Sequence, residues 1–427
     1  MITEKIVLIF AYHYPPENVI GAARPYRFSR YLSMMGYRCK VFTAAEQPKC
    51  SNSLAEYITD PFAASVSRNS TGWHLERAVR KFFFPGALGF QWSLLASRSA
   101  RSFLSSIRNA EVTVYSTFPP VGAHLAAMLL VRGRPWRWIA DFRDPVVAPG
   151  NSRRHNWIQQ RAHRTLELAM LARADAVVVS NDAQEVRWKT TYPRLEGRIK
   201  VIWNGFDPAD RIDERDVPKR EFHLVSHVGS LYGGRSIRPL LQSVSRLIEV
   251  GRLVRELVRI RLVGPVSGEC LPDTEFLDQA RRDGWLEIIP DHLPQVEARR
   301  MAQESDGLLL VQPHSKVQVP GKLFEYLRLK RPVLAFVLRE TPIEEILRRS
   351  GANYRCVYAN DSTRDIDSSV EAFFKQKEWI SETNAWFAEK FNAEKQAEEL
   401  SALIQSVHAS RNSSAQARAR TVPQMND

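Results

Sequence analysis

Lys316 to Val337, KVQVPGKLFEYLRLKRPVLAFV, constrains the fold more tightly than any other stretch of the chain. Before it comes Gly307-Leu-Leu-Leu-Val311, short and apolar enough for a buried strand. It ends in a second apolar run, Val333 to Val337, entered through Pro332. Between the runs, Leu323, Tyr326, Leu327 and Lys330 recur at helical spacing over Gly321 to Lys330. Strand, helix and strand so closely spaced need a crossover, which makes the strands parallel and the connection right-handed. Ligands of open parallel sheets gather at the carboxyl ends of strands, where the loop before this helix lies. Pro320-Gly321 opens the helix, and the first amides, through Leu323, point toward any anion placed there. Lys322 adds a mobile positive charge, and Glu325 follows one turn on. A cation beside helix amides suits a phosphate; a nearby carboxylate suits sugar hydroxyls.

The same alternation runs through both halves of the chain. Lys5 to Phe10, Arg38 to Thr43, Val112 to Tyr115, Trp136 to Ala140, Ala176 to Ser180 and Ile199 to Trp203 read as strands. Helices over Arg24 to Met35, Val121 to Val131 and Asn151 to Leu171 separate them, and Ser51 to Ser70 reads as a polar, irregular excursion. Residues 1–207 are therefore expected to form a doubly wound parallel domain. Asn204-Gly-Phe-Asp-Pro208 is a turn cluster, and the polar stretch 208–220 reads as a linker. The pattern restarts with strand His223 to Val228, helix Ile237 to Val250, and strands Val258 to Val263, Leu286 to Ile289 and Tyr354 to Tyr358. Residues 221–375 thus form a second α/β domain. Residues 376–409 read as helical, anchored by Trp379, Trp386, Phe387 and Phe391, and 410–427 as a disordered tail of low apolar content. A length of 427 residues suits two domains of about 100–200 residues plus such extensions. Two α/β domains facing each other make a cleft, the usual place for a ligand.

Net charge is +13. That balance fits nucleic acid, anionic lipid or a phosphorylated substrate and does not choose among them. No nucleic-acid recognition module is present, so that partner is not expected. From Arg68 to Arg108, Arg68, Arg77, Arg80, Lys81, Arg98, Arg101 and Arg108 stand against Glu76 alone, interleaved with Trp73, Phe82-Phe-Phe84, Phe90 and Trp92. Exposed, these aromatics would favour an anionic membrane surface. Buried, they would be core beneath a solvated basic face. Cys39, Cys50, Cys270 and Cys356 are scattered and read as free thiols of a reducing compartment. The amino terminus lacks the pattern of a signal peptide, and no run approaches ~18 apolar residues, so a cytoplasmic protein is expected.

Gly229-Ser-Leu-Tyr-Gly-Gly-Arg235 is the second informative stretch. It follows a strand and precedes a helix; its glycines free the backbone to wrap an anion, and Arg235 is placed to grip a diphosphate. Arg235 and Lys322 belong to two crossovers of one domain and can converge on a single pyrophosphate, stabilising it as a leaving group. In the first half, Gly21-Ala22-Ala23 brings small residues to a strand-to-helix turn. Asp141-Phe-Arg-Asp-Pro145 packs charges at a strand end, where Arg143 either pairs with Asp141 or Asp144 or lines a cleft.

Gly229 to Arg235, Val319-Pro-Gly-Lys-Leu-Phe-Glu-Tyr-Leu327 with Lys330-Arg-Pro-Val-Leu334, and Asn204-Gly-Phe-Asp207 resemble retaining GT-B glycosyltransferases of family four. Tyr14-Pro-Pro with Gly21-Ala-Ala-Arg24, and Asp141 to Pro145 after Pro119-Pro120, resemble the branch acting on bacterial surface polysaccharides such as lipopolysaccharide. The resemblance covers Met1 to about Asn392. It implies two Rossmann-like domains facing a cleft, with a UDP- or GDP-sugar as co-substrate, no metal and no further cofactor. The acceptor would be a glycan or polyprenyl-linked sugar, at the inner face of the plasma membrane. By the same resemblance Gly229, Ser230, Arg235, Gly321, Lys322 and Leu323 hold the donor diphosphate and Glu325 the ribose, while Pro290 and His292 frame the base. Gly21 and Ala22 approach from the first domain, and the last helical segment returns to that domain. Two departures stand out. Many relatives carry a second glutamate where this chain has Val317, and the histidine of the first domain's catalytic loop is not evident near Phe118. Acceptor activation is therefore open between Arg143 and Asp144. A GT-B nucleotide-sugar 2-epimerase and a non-catalytic GT-B scaffold remain as alternatives.

Overall fold

The computed structural model describes residues 3–420 apart from 18, 47–53, 64–70, 86, 145, 147–155, 211 and 213–217. The chain divides into two compact units, 1–207 with 393–427, and 208–392.

The first unit is built on seven parallel strands: β1 (Glu4–Phe10), β2 (Arg38–Thr43), β3 (Ala55–Tyr57), β4 (Ala110–Phe118), β5 (Arg137–Phe142), β6 (Ala176–Val179) and β7 (Ile199–Val201), in the order β3-β2-β1-β4-β5-β6-β7. Side chains alternate across a strand, so β1 feeds two cores. Ile6, Leu8 and Phe10 join a cluster with Trp92, Trp138 and Trp188. Val7 and Ile9 join another with Phe28, Leu32 and Tyr115. Burial on both faces is why the strands read as near-continuous apolar runs. The last helix, Ala393–Arg420, places Ala397, Leu400, Ile404 and Val407 in the second of these cores. It starts where the Ala393 amide donates to the Phe206 carbonyl at 2.9 Å.

Several local expectations are revised. The first helix spans Ile20–Met34 and so begins a turn before Arg24, with Pro25 inside it. A proline deprives only the carbonyl four residues earlier of its helical partner, here Gly21, so the opening turn survives. β3 lies within the stretch read as irregular. A three-residue edge strand, Ala-Glu-Tyr, has no apolar run to announce it. Residues 51–53 and 64–70 of that stretch are outside the described residues. The helix expected from Asn151 is seen as Trp157–Arg173, capped by Asn156 and Gln159; 151–155 are outside the described residues. The final helix runs on to Arg420, through eleven residues read as tail.

The second unit holds six parallel strands: β8 (His223–Val228), β9 (Val258–Val263), β10 (Leu286–Ile289), β11 (Gly307–Gln312), β12 (Val333–Val337) and β13 (Tyr354–Tyr358), ordered β10-β9-β8-β11-β12-β13. The order reverses direction between β8 and β11. A crevice at the carboxyl ends of those two strands is therefore expected. Cys39, Cys270 and Cys356 are buried free thiols, and Cys50 lies outside the described residues. Among the described residues no helix is long and apolar enough to cross a membrane.

Candidate functional site

The loops after β8 and β11 meet at that crevice. β8 ends at Val228 and passes into Gly229, whose amide donates to the Val263 carbonyl of β9 at 2.6 Å. Gly229 has φ +118°, and Gly264 beyond β9 presses on its backbone, where an added Cβ would lie 3.0 Å from the Gly229 carbonyl carbon. Gly233 and Gly234 follow with φ +61° and +89°, the left-handed region that glycine occupies without strain. The loop is anchored by Leu231 donating to Pro265, by Ile237 donating to Cys270, and by Gly233 donating to the Glu269 carboxylate. The following helix is Arg238–Glu249, so Arg235 stands in the loop, three residues ahead of the helix.

Lys322 opens the short helix Lys322–Arg328. Its amine lies over Gly229, where any Cβ would collide with Nζ and Cε. Nζ is also 3.4 Å from His227 Nε2. Burial, then the charge of Arg235, push the Lys322 amine down to about 7, with Glu325 acting the other way. The structure thus brings Lys322, Arg235 and Gly229 together. Arg235 Nε donates to Gln312 Oε1 at 3.0 Å, and its guanidinium lies 4.9 Å from the Tyr232 ring centre. Gln312, fully buried at the end of β11, donates in turn to Gln318 Oε1 at 3.3 Å.

The remaining donor candidates separate. Ser230 and Gly321 are half-buried at the same strand ends, and Glu325 is half-buried one turn from Lys322. Leu323 is fully buried, and its amide donates to the Pro320 carbonyl, so neither its side chain nor its N–H faces a ligand. The Phe324 amide is likewise taken by Gly321. Pro290 and His292 are exposed after β10, the edge strand two positions from β8. Val317 is half-buried, its amide held by Ser315 Oγ at 3.3 Å.

In the first unit the charged motif is organised differently from expectation. The counter-charge of Asp141 is not Arg143. The Asp141 carboxylate receives Arg24 Nε at 2.9 Å and Nη2 at 3.0 Å, with the hydroxyls of Tyr115 and Thr117 at 2.5 and 3.1 Å. Arg24 also donates to the carbonyls of Ile202 and Trp203. A buried, fully hydrogen-bonded pair of this kind serves the fold. Arg143 instead donates to the carbonyls of Phe118 and Pro119, at 3.2 and 2.6 Å. Gly21 faces it: a Cβ there would lie 3.2 Å from Arg143 Nη1. Ala22 is buried in the helix, and Asp144 is half-buried beside Arg143, with Pro145 outside the described residues. The motif Asn204 to Asp207 docks onto the first helix: Arg27 donates to the Gly205 carbonyl, and Arg30 and Tyr31 both donate to Asp207 Oδ1. His124 lies against Phe118 and Phe142 but is wholly buried, bonded to Ser116 Oγ and held by burial near a pKa of about 3. It is a core histidine without access to a reacting group.

Sequence reasoning missed His227 and Gln312. Both sit near the carboxyl ends of buried strands, where a polar side chain carries no motif; only its position over the crevice could have marked it. Among the described residues no group of His, Cys, Asp and Glu is arranged to hold a metal ion.

Residues 23–210 match the family model described as Glycosyltransferase Family 4. No curated protein matches the chain significantly. Solved structures resemble it over nearly their whole length. WaaG, a glycosyltransferase involved in lipopolysaccharide biosynthesis, has a TM-score of 0.57 at 13% identity, covering 92% of this chain and 94% of its own. WaaB, a lipopolysaccharide outer core galactosyltransferase, has 0.57 at 12%, covering 94% and 99%. Anabaena HepE in complex with UDP-glucose has 0.52 at 10%, covering 96% and 99%. At such identities the likeness establishes the fold, which is GT-B: two parallel-sheet α/β domains with flanking helices.

Proposed function

We propose that this protein is a retaining glycosyltransferase that moves a sugar from a UDP- or GDP-sugar to a glycan or polyprenyl-linked acceptor of surface polysaccharide. The observation that carries the reading is the convergence of Lys322 and Arg235 on the glycine-lined end of β8. Two cations beside open backbone suit a diphosphate, and they stabilise most what bears most charge, the departing nucleoside diphosphate. The leaving group's charge is met by these side chains in place of a metal. Glu325, one turn along, takes ribose hydroxyls, and Arg143 with Asp144 faces the acceptor side. Residues 23–210 matching a glycosyltransferase family, and a fold neighbour in complex with UDP-glucose, support the choice.

The first unit adds a surface for a lipid-linked acceptor. Leu75, Phe82 and Phe83 are exposed along and just past the helix Thr71–Phe82, Phe82 by 60%. Trp157, 73% exposed, and Ile158 open the helix Trp157–Arg173, and Gln159 donates to the Lys81 carbonyl at 3.3 Å, which joins the two patches. Arg77, Lys81, Arg161 and Arg164 are exposed around them, while Glu76 is buried. Exposed aromatics ringed by cations fit the anionic inner face of a plasma membrane. Trp92, by contrast, is core, and Trp73 stacks on Phe62.

Incubation with a panel of UDP- and GDP-sugars and a lipid-linked acceptor tests the reading. Acceptor-dependent release of nucleotide supports it. An isomerised sugar would make the protein an epimerase, and binding without turnover a scaffold.

A further inference from the structure

We propose that His227 is a positioning residue for the Lys322 amine, and that through this pair the binding of a nucleoside diphosphate is coupled to uptake of a proton. The inference rests on the reading of the site as a diphosphate cradle. His227 is buried at the penultimate position of β8. Its Nδ1 is 2.9 Å from the Leu309 carbonyl of β11. A carbonyl only accepts, so Nδ1 carries the proton and Nε2 presents a lone pair to Lys322 Nζ. The amine also lies over the bare α-carbon of Gly229. Lys322 is therefore packed against a ring anchored to β11 and a backbone tied to β9.

The charged groups around it come from every neighbouring element. Arg235 faces it from the loop after β8, and Glu325 from its own helix. Further out, His314 in the loop after β11 packs against Gly234, and Glu269 in the loop after β9 accepts from Gly233. Burial first, then Lys322 and Arg235, hold the His227 pKa well below the usual histidine value, so it stays a neutral acceptor. With the empty site's Lys322 near 7, the amine is about half neutral at neutral pH. An arriving diphosphate brings opposite charge and restores the proton. The sign follows: above pH 7 the complex holds more protons than the empty site. Affinity therefore falls as pH rises through about 7, by up to about tenfold per unit. Below that pH the amine is already charged and the dependence disappears.

The test is calorimetric titration of the full chain with UDP and with GDP, from pH 7.0 to 8.5, in buffers of different ionisation enthalpy. This range lies above the second phosphate ionisation, near ~6, so the ligand's own protons do not intrude. The expected heat varies with buffer, with uptake rising from roughly half a proton at pH 7 toward one at higher pH. His227→Phe removes the acceptor at similar volume and is expected to weaken binding roughly tenfold. Burial and Arg235 still depress the amine, and without the lone pair it is pushed further down, so uptake at pH 7 rises and the pH dependence starts lower. His227→Gln, which restores an acceptor, is expected to keep the wild-type affinity and pH profile. His227→Asn can still bond Leu309 but is too short to reach Lys322. It should behave like the phenylalanine variant and serves if that one fails to fold. Measurable binding whose heat is independent of buffer overturns the coupling, and acceptor-less variants with wild-type affinity and pH profile overturn the positioning role. Binding of neither nucleotide overturns the diphosphate site itself.

Discussion

Gly229→Ala is the sharpest perturbation of the cradle, because it adds one methyl group and removes no charge. The new Cβ would overlap Lys322 Nζ and Cε. The backbone cannot retreat, since the Gly229 amide is tied to Val263 and Gly264 packs against the other side. Lys322 must therefore leave. The loss is that of a charge-assisted hydrogen bond to the diphosphate, about 1.5–3 kcal/mol, or roughly 10- to 150-fold in Kd. Alanine at φ +118° also adds backbone strain of about 1–3 kcal/mol, which lowers stability and must be separated from the effect on binding. Gly251→Ala serves as the control. Gly251 has φ +71° with no atom within 4 Å of its would-be Cβ, so it tests strain in the same unit without touching Lys322. Calorimetry with UDP and GDP on both variants, with thermal unfolding alongside, separates the two effects. A Gly229→Ala protein that folds and binds nucleotide as tightly as wild type would refute the placement of Lys322 over a diphosphate.

Other expectations follow from the same geometry. Lys322→Ala and Arg235→Ala should each weaken nucleotide binding by about 1.5–3 kcal/mol, and unchanged affinity in both would remove the diphosphate assignment. Asp141→Asn leaves the buried Arg24 guanidinium without its counter-charge and should destabilise the first unit by about 3–5 kcal/mol in urea unfolding. A change below about 1 kcal/mol would show that the pair is not what holds Arg24. Neutralising Arg77 and Lys81 to glutamine should weaken binding to vesicles containing phosphatidylserine by about 1 kcal/mol per charge, read by co-sedimentation. The same variants should leave UDP binding unchanged; vesicle binding equal to wild type would count against the membrane-facing surface.

The class of fold and the place of the phosphate loops were legible in the residues because both depend on local periodicity. A strand buried on both faces must be apolar throughout, and a helix beside it must repeat every three to four residues. Gly307 to Val337 and His223 to Arg238 declare strand, loop and helix start from composition alone, and the structure has those elements within a few residues. Polar or very short elements such as β3 have no such pattern, and the early start of the first helix was hidden by Pro25.

What tertiary structure alone decided is which side chains meet. Asp141 had a candidate partner two residues away in Arg143, yet its counter-charge is Arg24, 117 positions away. Asn204 to Asp207 read only as a turn cluster at the end of the first domain but is bound to the helix Ile20–Met34. Phe82 and Trp92 belong to one basic-aromatic stretch, and one is at the surface while the other is core. His227 meets Lys322 across 95 residues, through the reversal of strand order between β8 and β11. The physical reason is common to all four. Periodicity reports how much of a side chain must leave water. The partner it finds there is set by strand order and crossovers, which bring distant residues together.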